Sequence, residues 1–236
     1  MTHTLLAPEK DFRWRAGEIT RLEAFCDVVF GFAITLLVVS LEVPRSYSEL
    51  MTAMRGFLPF AVCFAQLVLI WFTHYRLSRR YGLQDTYSVV LNVVLLFVVL
   101  FYVYPLKFLF TMLFAGVTHI AELEPVPALA ASVLMRIYAA GFASVFALFV
   151  LMYLHAYRLR GALQLNAVEV YETLISLQEN LALMLIGVGS FFVAFWSPAW
   201  AGWMYAATGP FFWIHGAVMG RRKRLLASRA SAASHS

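Results

Sequence analysis

The chain has 236 residues, of which 62% are apolar and only 13% charged, and its formal net charge is +5. A soluble domain carries roughly 25% charged residues, so this composition, with a mean hydropathy of +0.76, describes an integral membrane protein and not a water-soluble enzyme. The two cysteines, Cys26 and Cys63, both lie in apolar stretches and give no sign of a secreted disulfide framework.

In chain order, residues 1–20 are charged, and the first apolar run is not followed by a small-residue cleavage pattern, so no cleavable signal is expected. Six segments then supply the roughly 20 mostly apolar residues that a membrane helix needs. The first covers 22–43 and stops before Pro44. The second covers 54–76, with Pro59 near its start, where proline is tolerated. The third covers 86–113 and is interrupted by Pro105 and Lys107. The fourth, 128–157, contains Arg136. The fifth, 170–195, is polar in its first half, which is expected to protrude or to face other helices. The sixth covers 199–220. These runs are apolar all round and do not alternate as barrel strands do. The expected fold is all-α: one six-helix membrane domain over 1–236, with tails at about 1–20 and 221–236.

Orientation follows from the basic residues. Fourteen of the 18 lie in the N-terminal segment, the loops after the second and fourth spans, and the C-terminal segment. The positive-inside rule places both termini in the cytoplasm and makes the number of spans even. The same bias explains a pI near 9.4, and the basic run Arg221–Arg224 is not read as a nucleic-acid site. On the opposite side lie Glu42, Glu49, Glu122 and Glu124, which either concentrate cations at an outer mouth or are ordinary loop charges.

An aspartate one turn into lipid costs roughly 2.5–3.5 kcal/mol and needs a partner or a wet cavity. Asp27 is such a residue, at the start of the first span. His74 and Asn92 lie near the same depth on the second and third spans, so the three are expected to form a hydrogen-bonded clasp. Arg21, taken alone, reads as a flank that snorkels to the headgroups. At 100° per residue, Phe32, Leu36, Val39 and Val43 share one apolar face, and Asp27 points roughly 140° away from Phe32. That stripe faces lipid, the protein core or a pore. No metal or catalytic site is expected: His74, His119, His155 and His215 show no ligand spacing, and no nucleophile motif occurs. A transporter working through Asp27, Lys107, Arg136 and Glu179 is the first alternative, although no inverted repeat supports it. A non-conducting or haem-binding membrane scaffold is the second.

The run Arg21-x-x-x-Phe25-Cys26-Asp27 resembles the RxxxFSD signature of the endolysosomal potassium channel and its bacterial six-helix relatives. Thr35-Leu36-Leu37 resembles the family's helix 1 run, Trp71-x-x-His74 its helix 2 motif, and Asn92 and Tyr104-Pro105 its helix 3 positions. The resemblance implies a homotetramer in a cell inner membrane whose first helices line a central potassium-permeable pore. It implies an apolar constriction at Phe32, Leu36 and Val39, pore-lining Thr35 and Val43, and a polar network of Arg21, Asp27, His74 and Asn92. It implies no cofactor. Two positions depart from the pattern: Cys26 replaces the motif serine, and Phe32 replaces a branched aliphatic residue.

Overall fold

The computed structural model of the chain describes residues 12–39, 44–118, 127–206 and 208. Seven helices lie among them: α1 (Arg21–Val39), α2 (Tyr47–Arg55), α3 (Phe57–Tyr81), α4 (Thr86–Thr118), α5 (Ala128–Arg158), α6 (Ala167–Val193) and α7 (Pro198–Ala206). Five of these (α1, α3, α4, α5 and α6) are long and apolar enough to cross a membrane, and no strand occurs among the described residues. The 19 residues of α1 span about 28 Å, close to the hydrocarbon thickness. The sixth expected span begins as α7, but most of it lies outside the described residues, as do the tails 1–11 and 209–236.

Three boundaries differ from the sequence expectation. The second span begins as a helix at Phe57, after Gly56, and a short helix, α2, forms in the expected loop before it. The long helix α3 runs past Arg76 and includes Arg79 and Arg80, which the sequence alone places in the loop after the second span. Arginine is a good helix former, and the helix ends only at Gly82, whose φ of 59° is left-handed and whose N–H bonds Ser78 O at 2.9 Å. A side chain there would also crowd Ala16, whose backbone nitrogen lies 3.3 Å from the Cβ position. The third span continues unbroken through Pro105 to Thr118, because one missing N–H is tolerated in a packed membrane helix. The polar half of the fifth span does not protrude. Asn166 and Glu169 form a capping box that starts α6, and Glu169, Glu172, Thr173, Ser176 and Asn180 are buried.

The bundle is built from two groups. α5 and α6 make the most extensive helix pair, and α7 folds back onto both. α4 joins this hairpin to α3 and α1, and among the described helices α1 packs mainly on α3 and α4. Small residues permit the closest approach: a Cβ on Gly187 of α6 would sit 3.0 Å from Ala143 of α5, as expected where membrane helices pack backbone to backbone.

The N-terminal segment before α1 straps the basic end of the bundle. Phe12 is buried against Tyr81, Arg13 N–H donates to Glu169 Oε1 at 2.9 Å, and Arg15 pairs with Glu169 Oε2 at 2.7 Å. Beside it, Arg80 is buried in an ion pair with Glu172 at 3.1 Å.

Candidate functional site

Helix α1 is two-faced. Glu23, Cys26, Phe30, Ala33 and Leu37 recur every three to four residues and are buried against the bundle. The opposite stripe is left uncovered by the described residues: Phe32 is 58% and Val39 76% exposed, Thr35 is exposed and Leu36 half-buried. The Thr35 hydroxyl donates to Phe32 O at 2.8 Å, so its polarity is partly spent on its own helix. Val43, expected to extend this stripe, lies outside the described residues.

The polar residues at the basic end of α1 form two separate contacts instead of one clasp. His74 Nε2 lies 2.6 Å from Asn92 Oδ1, and Asn92 Nδ2 donates to Ser88 O at 2.7 Å. The amide oxygen is therefore the acceptor, and His74 carries its proton on Nε2. Cys26 Sγ donates to the same oxygen at 3.7 Å, a weak bond from a weak donor. Asp27 does not join this pair. Its Oδ1 accepts the indole N–H of Trp71 at 2.8 Å. The expected Asp27–His74 link is thus corrected: Cys26 faces the His74–Asn92 pair, while Asp27, the next residue on α1, meets Trp71, one turn before His74 on α3. Arg21 is exposed and makes no ion pair among the described residues.

Trp71 is the partner that sequence reasoning missed, although its spacing of three from His74 puts both on neighbouring faces of one helix. Glu23 was missed as well. It is buried, and its Oε2 lies 3.9 Å from Arg79 Nη1.

Of the expected outer carboxylates, Glu49 is exposed and accepts Arg45 N–H at 2.6 Å, while Ser46 Oγ accepts Glu49 N–H at 3.2 Å. This is the signature of a helix start. Glu42, Glu122 and Glu124 lie outside the described residues.

The charges on which a transporter reading depends are scattered. Arg136 lies over the Phe195 ring at 4.4 Å. A cleft of about 680 Å³ between α3, α5 and α6 is lined by Arg76 and Glu179, but not by Asp27, Lys107 or Arg136. Among the histidines, His155 Nε2 lies 3.0 Å from Asp85 Oδ2, while His119 and His215 lie outside the described residues. Partial burial of Asp85 opposes its ionisation, but hydrogen bonds from Ser88 and His155 outweigh it and hold the carboxyl below its ordinary range.

With this geometry in hand, the relatives are informative. The sequence profile of the family described as endosomal/lysosomal potassium channel TMEM175 matches residues 21–102, the stretch that contains α1, Trp71, His74 and Asn92. A potassium channel of Marivirga tractuosa is 34% identical over 239 residues, covering 94% of this chain and 96% of its own. A potassium channel of Chamaesiphon minutus is 33% identical over 97 residues, 38% of this chain and 48% of its own. The crystal structure of a variant of the potassium channel MtTMEM175, bound to a nanobody–MBP fusion, aligns with a TM-score of 0.80 at 33% identity, covering 92% of this chain and all of that one. A second crystal structure, of a lysosomal potassium-selective channel TMEM175 homolog from Chamaesiphon minutus, shares the fold at a TM-score of 0.60 and 24% identity. From its α1 stripe to its fold over nearly the whole length, the chain belongs to the TMEM175 potassium channel family.

Proposed function

We propose that this chain forms a potassium-permeable cation channel. Four copies surround a central axis, each contributing α1, and rings of Phe32, Leu36 and Val39 form the constriction. Thr35 and Val43 line the same passage. The observation that carries this reading is the uncovered face of α1. The chain buries one side of the helix on α3 and α4 and leaves large apolar residues at regular spacing on the other. The full-length likeness to a solved potassium channel supports assigning that face to a pore. The basic end carries the strap and the last turns of α3, so the positive-inside rule supports a cytoplasmic location for both termini in an inner membrane.

The chemistry follows from the ring composition. Apolar side chains offer no oxygen to replace an ion's water, so an ion passes only by shedding or distorting its hydration shell, and the ring closes by dewetting. Potassium holds its water less tightly than sodium and meets the lower barrier. Both polar contacts act outside the passage: Asp27–Trp71 fixes α1 to α3, and His74–Asn92 fixes α3 to α4.

Purified protein in liposomes should pass potassium faster than sodium. Flux no higher than that of protein-free liposomes for both ions, from tetramers of correct size, would overturn this reading.

A further inference from the structure

Behind α1, two buried polar residues line the same small space. Glu23 is 5% exposed and His74 1% exposed. The His74 proton sits on Nε2, in the bond to Asn92, so Nδ1 is an acceptor. Neither Nδ1 nor Glu23 Oε2 has a hydrogen-bond partner among the described residues. Arg79 Nη1, itself buried without a hydrogen-bond partner among the described residues, stands 3.9 Å from Glu23 Oε2, beyond hydrogen-bond reach. Both residues line one cavity of about 20 Å³, together with Thr20, Ser78, Ser88 and Asn92.

The volume exceeds the roughly 10–15 Å³ that one water molecule needs, and a buried water requires two to four polar partners. The chemistry is also specific. An imidazole nitrogen without its proton and a carboxylate oxygen both accept, and water brings two donors. Ser78, which also lines the cavity, carries a hydroxyl.

We propose that an ordered water molecule occupies this cavity, donating one hydrogen to His74 Nδ1 and the other to Glu23. Glu23 is then a positioning residue. Through the water it fixes the His74 tautomer that the Asn92 bond requires, and it ties the first turn of α1 to α3. This role rests on the reading of α1 as the pore helix. The Asp27–Trp71 bond holds α1 one turn further in, so the pore helix is pinned to α3 at two levels, one direct and one through water.

Solid-state NMR of the full chain, labelled with 15N-histidine and reconstituted in liposomes, tests the bridge. Wild type is expected to show an unprotonated His74 Nδ1 that receives magnetisation from water. Glu23→Gln keeps an acceptor oxygen and should retain that transfer, with potassium flux within about twofold of wild type. Glu23→Leu should lose the transfer and reduce flux about tenfold, the scale set by one buried polar group left without a partner. No water transfer to Nδ1 in wild type, a proton on Nδ1, or an unchanged signal in Glu23→Leu tetramers would each overturn the proposal. The NMR arm decides the bridge even in a preparation without flux, a result that would count against the channel reading instead.

Discussion

Removing the indole N–H of Trp71 isolates the contact that holds Asp27. Trp71→Phe keeps an aromatic ring where Trp71 now stacks on Tyr75, with centroids 5.7 Å apart, but deletes the 2.8 Å bond to Asp27 Oδ1. Hydrogen bonds to charged groups contribute about 1.5–3 kcal/mol, whereas bonds between membrane helices average about 0.6 kcal/mol and reach about 1.7. Asp27 is only half-buried, so the overlap of the two ranges applies, and a loss of about 1.5 kcal/mol per subunit is expected. Equilibrium unfolding in mixed detergent measures it, and a double-mutant cycle isolates it. In an Asp27→Ala background, Trp71→Phe should cost close to nothing beyond the change in ring size. An equal cost in both backgrounds would show that Trp71 acts by packing alone and that Asp27 is held by something else.

Other substitutions test the rest of the frame. Gly187→Leu should separate α5 from α6 and abolish monodisperse protein in size-exclusion chromatography, because even a Cβ there lies 3.0 Å from Ala143. Gly189→Ala should be tolerated, since its Cβ meets only the flexible end of Met204, at 2.8 Å. Glu169→Ala leaves Arg15 without its 2.7 Å partner and strips the acceptor from Arg13 and Asn166 N–H. Breaking a buried pair costs about 3 kcal/mol or more, so the strap should loosen and trypsin should cut at Arg13 and Arg15 sooner than in wild type. The Asp85 carboxyl is held below its ordinary range, so its contact with His155 stabilises the fold above the unfolded pKa of about 3.9 and is lost as pH falls through the lowered folded value. Wild type should therefore melt above Asp85→Asn at neutral pH, and the gap should close in acid.

Much of the frame is legible in the sequence because hydropathy and length decide it. Five of the six expected apolar runs form long helices, and the sixth begins as α7 before the described residues end; the two-faced pattern of α1 follows from spacing alone. The site is less legible, since depth along a helix does not say which neighbour is reached. Asp27, His74 and Asn92 do lie at one end of the bundle, but the angle of Asp27 on α1 sends it to Trp71. Arg79 and Arg80 count as loop charges by the orientation rule, yet they sit in the last turns of α3, where Arg80 meets Glu172. That pairing depends on α6 packing beside the strap, a contact between residues 92 apart in the chain. Glu23 looks like a surface flank in the sequence but is buried beside the end of α3, where Arg79 approaches it. The Asn166-x-x-Glu169 box, by contrast, is a helix start that the sequence spells out.

Ion flux through constriction variants tests most directly the claim that α1 lines the pore. Phe32→Ala, Leu36→Ala and Leu36→Asn change the width or wetness of the proposed ring and leave the bonds of Asp27, His74 and Asn92 intact. With α1 on the axis, Phe32→Ala and Leu36→Ala should raise flux and lower the preference for potassium over sodium. Leu36→Asn should raise flux furthest, because a polar ring removes the dewetting barrier. Potassium and sodium flux is to be measured in liposomes at matched protein density for intact tetramers. Flux and selectivity equal to wild type in all three variants would contradict the account and take α1 off the pore axis.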